Sequence, residues 1–453
     1  MPFRLRPVPR VVAAACTLAS SSLAAPSIST VSGAAQHGSS VTITGDGFGT
    51  KTTAEPLKWD DFEDGALGND VSTTGYWENH GNGDIKFSDE HLRHPFSKRS
   101  VTDKMTYTWP STTPNGNFYH LKAWPNAGRK YLTGYLYIEF PKLSTSGDWQ
   151  AKLIHVLSGP EHADWPVLAL QSWWTEGGDV GNNGNYFEFQ YTGGAWPSSW
   201  NDWARAGEWL RFEVEWKDST SASASDGMAR FSAYHPGESV VSVTKSGTTM
   251  GSDGVTLSTP HFGYLLVNEG AGHQVDTTWD DIYMDDTWAR VELCDGATWE
   301  SRTDCEIQPP TAWTPSSITV TLNQGALSEG QTAYVYVVDA AGSANGSGYP
   351  ITLSAGTAGT GGGAGAGGGS AGGAGGGSAG GAGSGGQAND GGAGVPAATP
   401  NGDDSGSCGC RVPSPAPTSP PFPWSAGVLA LLGLTLRRRA AGREVPRRGD
   451  MKM

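Results

Sequence analysis

Six segments between residues 135 and 234 alternate apolar and polar side chains with a period of two, and no stretch of that region sustains a helical period. The segments are 135–140, 152–157, 168–173, 186–191, 209–216 and 231–234. Gly, Asn, Asp, Ser and Pro fill the gaps between them. Successive side chains of a strand point to opposite faces, so this pattern predicts many short antiparallel strands, each burying one face. Residues 56–288 also hold 15 of the chain's 18 Trp. The expectation is an all-β sandwich with a large aromatic core.

Alternation also sorts each strand by face. In 209–216, Leu210, Phe212, Val214 and Trp216 form a core face, leaving Trp209, Arg211, Glu213 and Glu215 on the other. In 186–191 the second face carries Tyr186, Glu188 and Gln190, opposite Phe187, Phe189 and Tyr191. In 135–140 it carries Tyr135, Tyr137 and Glu139, opposite Leu136, Ile138 and Phe140. Gln171 and Trp173 lie opposite Leu168 and Leu170, and His155 shares a face with Leu153 and Leu157. Aromatic rings stack on the apolar faces of sugars, and carboxylates, amides and Arg bond hydroxyls. These thirteen residues are therefore the candidate ligand-binding or catalytic set. Glu213 and Glu215 are one strand repeat apart, near the separation that a carboxylate-pair hydrolase needs. Arg211, Gln171, His155 and Tyr191 offer the residue types of a uronate lyase. A basic stretch of His91, Arg93, His94, Lys98, Arg99 and Lys104 favours an anionic ligand locally.

The strand Gly207-Glu208-Trp209-Leu210-Arg211-Phe212-Glu213 before Asp226-Gly227, with the closing Trp279-Asp280-Asp281-Ile282-Tyr283-Met284-Asp285, resembles concanavalin A-like jelly rolls of the polysaccharide-lyase and glucanase type. That resemblance implies a glycan lying across one sheet. The glucanase Glu-x-Asp-x-x-Glu pattern is absent, and so are the Gln-x-His and Tyr-x-Lys motifs of alginate-lyase relatives. Residues 26–49, with Val41 and Ile43 alternating with Thr42 and Thr44 before Gly45-Asp46-Gly47, resemble the opening of an IPT/TIG domain, a small immunoglobulin-like sandwich. Ile318, Val320 and Leu322, then 334–339 and 349–353, resemble its closing strands. The implied architecture is a split IPT/TIG sandwich (25–55 and 289–353) with the jelly roll (56–288) inserted; a linear array of three modules is the alternative.

Asp61, Glu63 and Asp64 open the insert, and Asp280 and Asp281 close it. Clustered carboxylates suit a structural Ca²⁺; no other cofactor is called for. Cys294 and Cys305 are expected to pair as a disulfide.

The ends read as addresses. Residues 1–24, with Arg4, Arg6 and Arg10 before an apolar stretch, read as a signal peptide. Residues 354–407 are a Gly/Ala/Ser linker expected to be disordered; 22 of the 65 glycines lie between 356 and 394. Its Gly368-Gly369-Ser370-Ala371-Gly372 matches a hydrolase nucleophile elbow in letters alone, because the elbow needs a strand before it and a helix after it. In 408–453, Cys408 and Cys410 precede an apolar run at 422–436 and then Arg437-Arg438-Arg439. This order resembles the MYXO-CTERM sorting tail, which implies processing at Cys408 or Cys410 and anchoring at the cell envelope. The apolar run is expected to be a helix of about 23 Å, short of the ~30 Å hydrocarbon core.

The chain carries a formal charge of −15; the two ends, 1–24 and 411–453, hold +3 and +6, leaving −24 on 25–410. A body this acidic excludes a general nucleic-acid binder. The expectation is a secreted, surface-tethered carbohydrate-binding protein. The alternatives are a polysaccharide lyase or glycoside hydrolase on the same face, and a protein–protein adhesin.

Overall fold

The computed structural model describes residues 25–80, 84–106, 117–120, 123–125, 128–142, 149–158, 167–174, 185–191, 194–199, 205–268 and 274–354. The strands are, in order, β1 (Ser27–Gly33), β2 (Ser40–Asp46), β3 (Lys58–Asp60), β4 (Trp77–His80), β5 (Asp84–Ser88), β6 (Ser100–Thr106), β7 (Asn117–His120) and β8 (Arg129–Lys142). There follow β9 (Trp149–Leu157), β10 (Val167–Trp174), β11 (Asn185–Tyr191), β12 (Gly194–Ser199), β13 (Trp209–Lys217), β14 (Gly227–Tyr234), β15 (Val241–Gly247) and β16 (Thr259–Asn268). The last are β17 (Gln274–Asp285), β18 (Arg290–Cys294), β19 (Cys305–Gln308), β20 (Pro310–Thr314), β21 (Ser317–Thr321), β22 (Thr332–Val338) and β23 (Tyr349–Thr352).

Two antiparallel sheets form a jelly-roll sandwich. One has seven strands in the order β12-β11-β10-β9-β16-β7-β4. The other runs β15-β14-β13-β8-β17-β6-β5, with β3 pairing β17 at its side. Between them lies a core of alternate residues from both sheets. It includes Leu210, Phe212, Val214 and Trp216 of β13, Ile154 and Val156 of β9, and Phe118, Phe262 and Trp279. Trp279 meets Phe118, Phe212 and Phe262 at ring-centroid distances of 5.3–6.2 Å, the edge-on contacts that aromatic quadrupoles favour.

The remaining strands make two four-stranded sheets, β1-β2-β21-β20 and β19-β18-β22-β23. Val41 and Ile43 of β2 sit opposite Val320 and Ile318 of β21. These four pack with Val291, Leu293, Val335 and Val337 in a second core. Cys294 and Cys305 face each other across β18 and β19 and are disulfide-bonded.

The fold class requires one correction. The described chain is all-β, with two short 3-10 turns (Val71–Thr74 and Trp299–Ser301) and no α-helix. The apolar helix expected over 422–436 lies outside the described residues. So do the signal peptide at 1–24, the linker from 355 onward, Cys408 and Cys410. Among the described residues no helix is long and apolar enough to cross a membrane. No transmembrane helix is part of the described structure, and the envelope-anchored expectation is not carried forward.

Candidate functional site

The sequence pattern places Arg211, Glu213 and Glu215 on the outward face of β13, away from the core. The structure corrects what that face does: all three are buried, because β18 and β19 lie over them. The Arg211 guanidinium lies 2.9 Å from Glu213 and 2.8 Å from Glu292 of β18. It also donates to the Tyr234 hydroxyl at 3.1 Å and the Cys305 carbonyl at 2.5 Å. Arg290 stacks over the Tyr131 ring and pairs with Glu292 at 2.6 Å and Glu215 at 3.3 Å. Tyr135 is buried too; its hydroxyl donates to the Cys305 carbonyl at 2.7 Å, and the Arg93 guanidinium covers its ring at 3.7 Å. Burial alone would raise the Glu292 carboxyl, but Arg211 and Arg290 outweigh it and hold the group down at about 2. Four candidate ligand residues are thus a desolvated ion network that fastens the smaller sandwich to the larger.

Beyond that seam the same sheet carries a small platform. Tyr137 sits directly opposite Trp209, with ring centroids 5.5 Å apart. His91 stacks on Tyr137 at 4.2 Å, and its Nε2 lies 3.1 Å from Glu139. All four are half-buried.

The seven-stranded sheet gathers most of the other candidates by register. Glu188 of β11 is opposite Ala169 of β10, and Ala169 is opposite His155 of β9. His155 is opposite His261 of β16, His261 opposite Tyr119 of β7, and Tyr119 opposite Glu78 of β4. Directly paired residues share a face, so one row runs Glu78–Tyr119–His261–His155–Ala169–Glu188 across the sheet. It lies on the face opposite Phe118, Phe262 and Ile154, which fill the core. His155 and His261 are buried, Tyr119 is half-buried and Glu78 is exposed. The His261 and Tyr119 rings are 4.6 Å apart. In the next row Tyr186 is opposite Gln171, and Gln171 opposite Lys152. A register shift at Leu170/Gln171 brings Lys152 there in place of Leu153. Gln190 pairs with Val167 and Trp173 with Gln150, at opposite ends of the shared strands. Sequence reasoning missed His261, Tyr119 and Glu78. Pro260-His261-Phe262 and Phe118-Tyr119 carry the same alternation in strands that were not singled out.

The Ca²⁺ expectation does not survive the geometry, because the carboxylates do not converge. Glu63 accepts from the Lys98 and Arg99 N–H groups at 2.6 and 3.1 Å. Asp280 accepts from its neighbour's N–H and from Ser97. Asp281 pairs with Arg93 and lies 3.5 Å from His94. Asp61 and Asp64 are exposed. Among the described residues the single close group of metal-binding types is Glu292, Cys294 and Cys305, two of which are joined in the disulfide. Most of the basic stretch is likewise consumed internally: Arg93 by Asp281 and Glu306, Arg99 by Glu63, Lys104 by Glu90 and His91 by Glu139.

No protein-family model matches the chain, and no curated protein does. The resemblances to IPT/TIG domains and to MYXO-CTERM tails therefore find no support and are given up. Solved structures do resemble it. A marine alginate lyase from Aplysia kurodai is 14% identical with a TM-score of 0.34, covering 52% of this chain and 99% of its own. An endo-β-1,4-glucuronan lyase from Trichoderma reesei is 14% identical with a TM-score of 0.35, covering 52% and 97%. Lectin II from Ulex europaeus is 10% identical with a TM-score of 0.30, covering 51% and 99%. These are likenesses of the sandwich, to proteins that cleave glycans and to one that is a lectin. They leave the chemistry to this chain's own residues.

Proposed function

We propose that the chain is a polysaccharide lyase that works on the outer face of the seven-stranded sheet, entered from its β7–β4 side. The supporting observation is the row in which two imidazoles and a phenol, from β9, β16 and β7, stand on adjacent strands. β-Elimination at a uronate needs a base for the C5 proton and an acid for the departing O4. His261 is the base and Tyr119 the acid: the C5–H bond breaks, its electron pair forms the C4–C5 double bond, the C4–O4 bond breaks, and O4 takes the phenolic proton. His155 orients the adjacent imidazole. Lys152 and Gln171, one row away, are the residue types that offset a uronate carboxylate. With both imidazoles buried, the polymer enters from the Tyr119–Glu78 side. Hydrolysis fits less well. Glu78 and Glu188 are five strands apart, about 24 Å at the usual strand spacing, whereas a hydrolase pair stands roughly 5–9.5 Å apart.

The test uses the full chain with alginate, glucuronan and polygalacturonate, following the ultraviolet absorbance of the new double bond. Turnover on one polymer that falls about 10²–10⁴-fold in His261→Gln and Tyr119→Phe is expected. Silence on every polymer, or turnover unaffected by both changes, overturns the reading. A second reading, glycan binding without cleavage, rests on the Trp209–Tyr137–His91 platform. Affinity-gel retardation that Trp209→Ala abolishes, with no turnover, would favour it.

A further inference from the structure

A cavity of about 500 Å³ opens between the two sandwiches. The larger contributes Trp59, Asp61, Glu63 and Phe96; the smaller contributes His37 and Asn323. Its size is that of a small-molecule site, and seams between modules are where such sites concentrate.

Asn323 decides what could fill it. The residue is 5% exposed and held from three sides. Gln308 accepts from its backbone N–H at 2.9 Å and donates to its carbonyl at 2.7 Å, and the Gly325 N–H donates to its side-chain Oδ1 at 3.1 Å. That last bond fixes which end of the amide is which. The Nδ2 donor is left buried without a partner. An unmet buried donor is destabilising, so an acceptor is called for. His37 adds a second donor. Its Nδ1 accepts from the Gln324 N–H at 3.3 Å, and burial followed by the neighbouring His94 keeps the ring neutral, so the proton sits on Nε2. Asp61 adds an acceptor: its one described hydrogen bond is a long 3.3 Å contact from the Glu63 N–H. Apolar wall comes from Trp59 and from Phe96, on which His37 stacks at 4.2 Å.

We infer that this cavity is a second carbohydrate site, which takes one sugar ring of a glycan between Asn323, His37 and Asp61 and against Trp59. Hydroxyl groups donate and accept at once, which satisfies two donors and a carboxylate with one ligand, and the ring's C–H face suits the indole. A simple anion would meet Asp61, and a simple cation would leave Asn323 Nδ2 and His37 Nε2 unmatched. The inference stands apart from the lyase reading, because none of its residues lies on the seven-stranded sheet.

Ligand-observed saturation-transfer NMR on the full chain tests it, with the methyl glycosides of glucose, galactose, mannose and xylose at tens of millimolar. Saturation of at least one glycoside is expected, weakened about tenfold or more in Asp61→Ala, which changes an exposed residue, and in Asn323→Ala. Binding should persist in His261→Gln, which separates this cavity from the sheet row. No saturation of any glycoside would mean that water alone fills the cavity, and would overturn the inference. Binding that survives both cavity substitutions, or that is lost in His261→Gln, would overturn it equally. Thermal melts of each variant exclude unfolding as the cause of a loss.

Discussion

Arg211→Met distinguishes a residue that serves the fold from one that serves a ligand. The side chain is 1% exposed, and methionine keeps most of its length while removing the charge. Among the described residues Glu213 would keep only the Tyr131 hydroxyl as a hydrogen-bond partner, at 3.3 Å, and Glu292 would keep Arg290 at 2.6 Å. The Cys305 carbonyl would still accept from Tyr135. Removing one partner from a buried charge network leaves the others uncompensated, at about 3–5 kcal/mol. Glu292 retains a guanidinium, so a value near 3 kcal/mol is expected. That is a large share of the roughly 5–15 kcal/mol that separates folded from unfolded domains. Urea unfolding of the full chain should show the midpoint falling with little change in slope. Glu213→Gln added to Arg211→Met should restore about 1–2 kcal/mol by removing the stranded charge. An unchanged unfolding midpoint with lost glycan binding or turnover would refute the reasoning and return Arg211 to the ligand face.

Four further outcomes follow from local geometry. Gly263 has φ +67° and a Cβ there would lie 2.3 Å from the buried Asp103 carboxylate, so Gly263→Ala should cost about 2 kcal/mol or more in urea unfolding. Gly237, at φ +89° with open space around it, should cost only about 1 kcal/mol on the same change. Burial, then Glu306, raises the Asp304 carboxyl from 3.8 to about 7. The folded state therefore keeps a proton that the unfolded chain releases above pH 3.8, and stability should decline as pH rises from there through 7; melting curves of Asp304→Asn should lose that part of the slope. The Cys294–Cys305 bond closes an 11-residue separation, and the double alanine variant should unfold about 2.8 kcal/mol more easily on the loop-entropy model.

Alternation told inward from outward correctly along β13, since Leu210, Phe212, Val214 and Trp216 are all in the core. It could not tell outward from exposed. That distinction depends on a segment some eighty residues later, where Arg290-Val291-Glu292-Leu293 alternates charge with apolar bulk. Val291 and Leu293 enter the smaller core while Arg290 and Glu292 meet the charges of β13. The signal was present as two complementary charge stripes, but pairing them requires knowing which strands lie face to face. The carboxylates at 61–64 and 280–281 failed for the opposite reason. Burial raises the Asp61 carboxyl and Asp281 is near enough to add to that, but local N–H groups and guanidiniums satisfied Glu63 and Asp281 before a cation could. Cys294 and Cys305 were legible because their pairing depends on a short connection alone.

The ion network also bears on where chemistry can occur. A sandwich has two outer faces, and this chain covers the middle of one with eight buried charged or phenolic groups: Tyr131, Tyr135, Arg211, Glu213, Glu215, Arg290, Glu292 and Glu306. Desolvating so many groups is unfavourable unless the partners are fixed, which requires that the smaller sandwich sit in one position. A seam held that firmly can also hold a cavity whose wall residues come from both sides, as Trp59 and Asn323 do. Movement of one module by an ångström would dissolve the site. The sheet row has no such dependence, because β7, β16 and β9 are hydrogen-bonded neighbours within one sheet. Loosening the seam with Arg211→Met should therefore weaken glycoside binding in the cavity at urea concentrations where turnover on the seven-stranded sheet is still intact. Simultaneous loss of the two would mean that the sandwiches unfold as one unit and that the seam confers no separate rigidity.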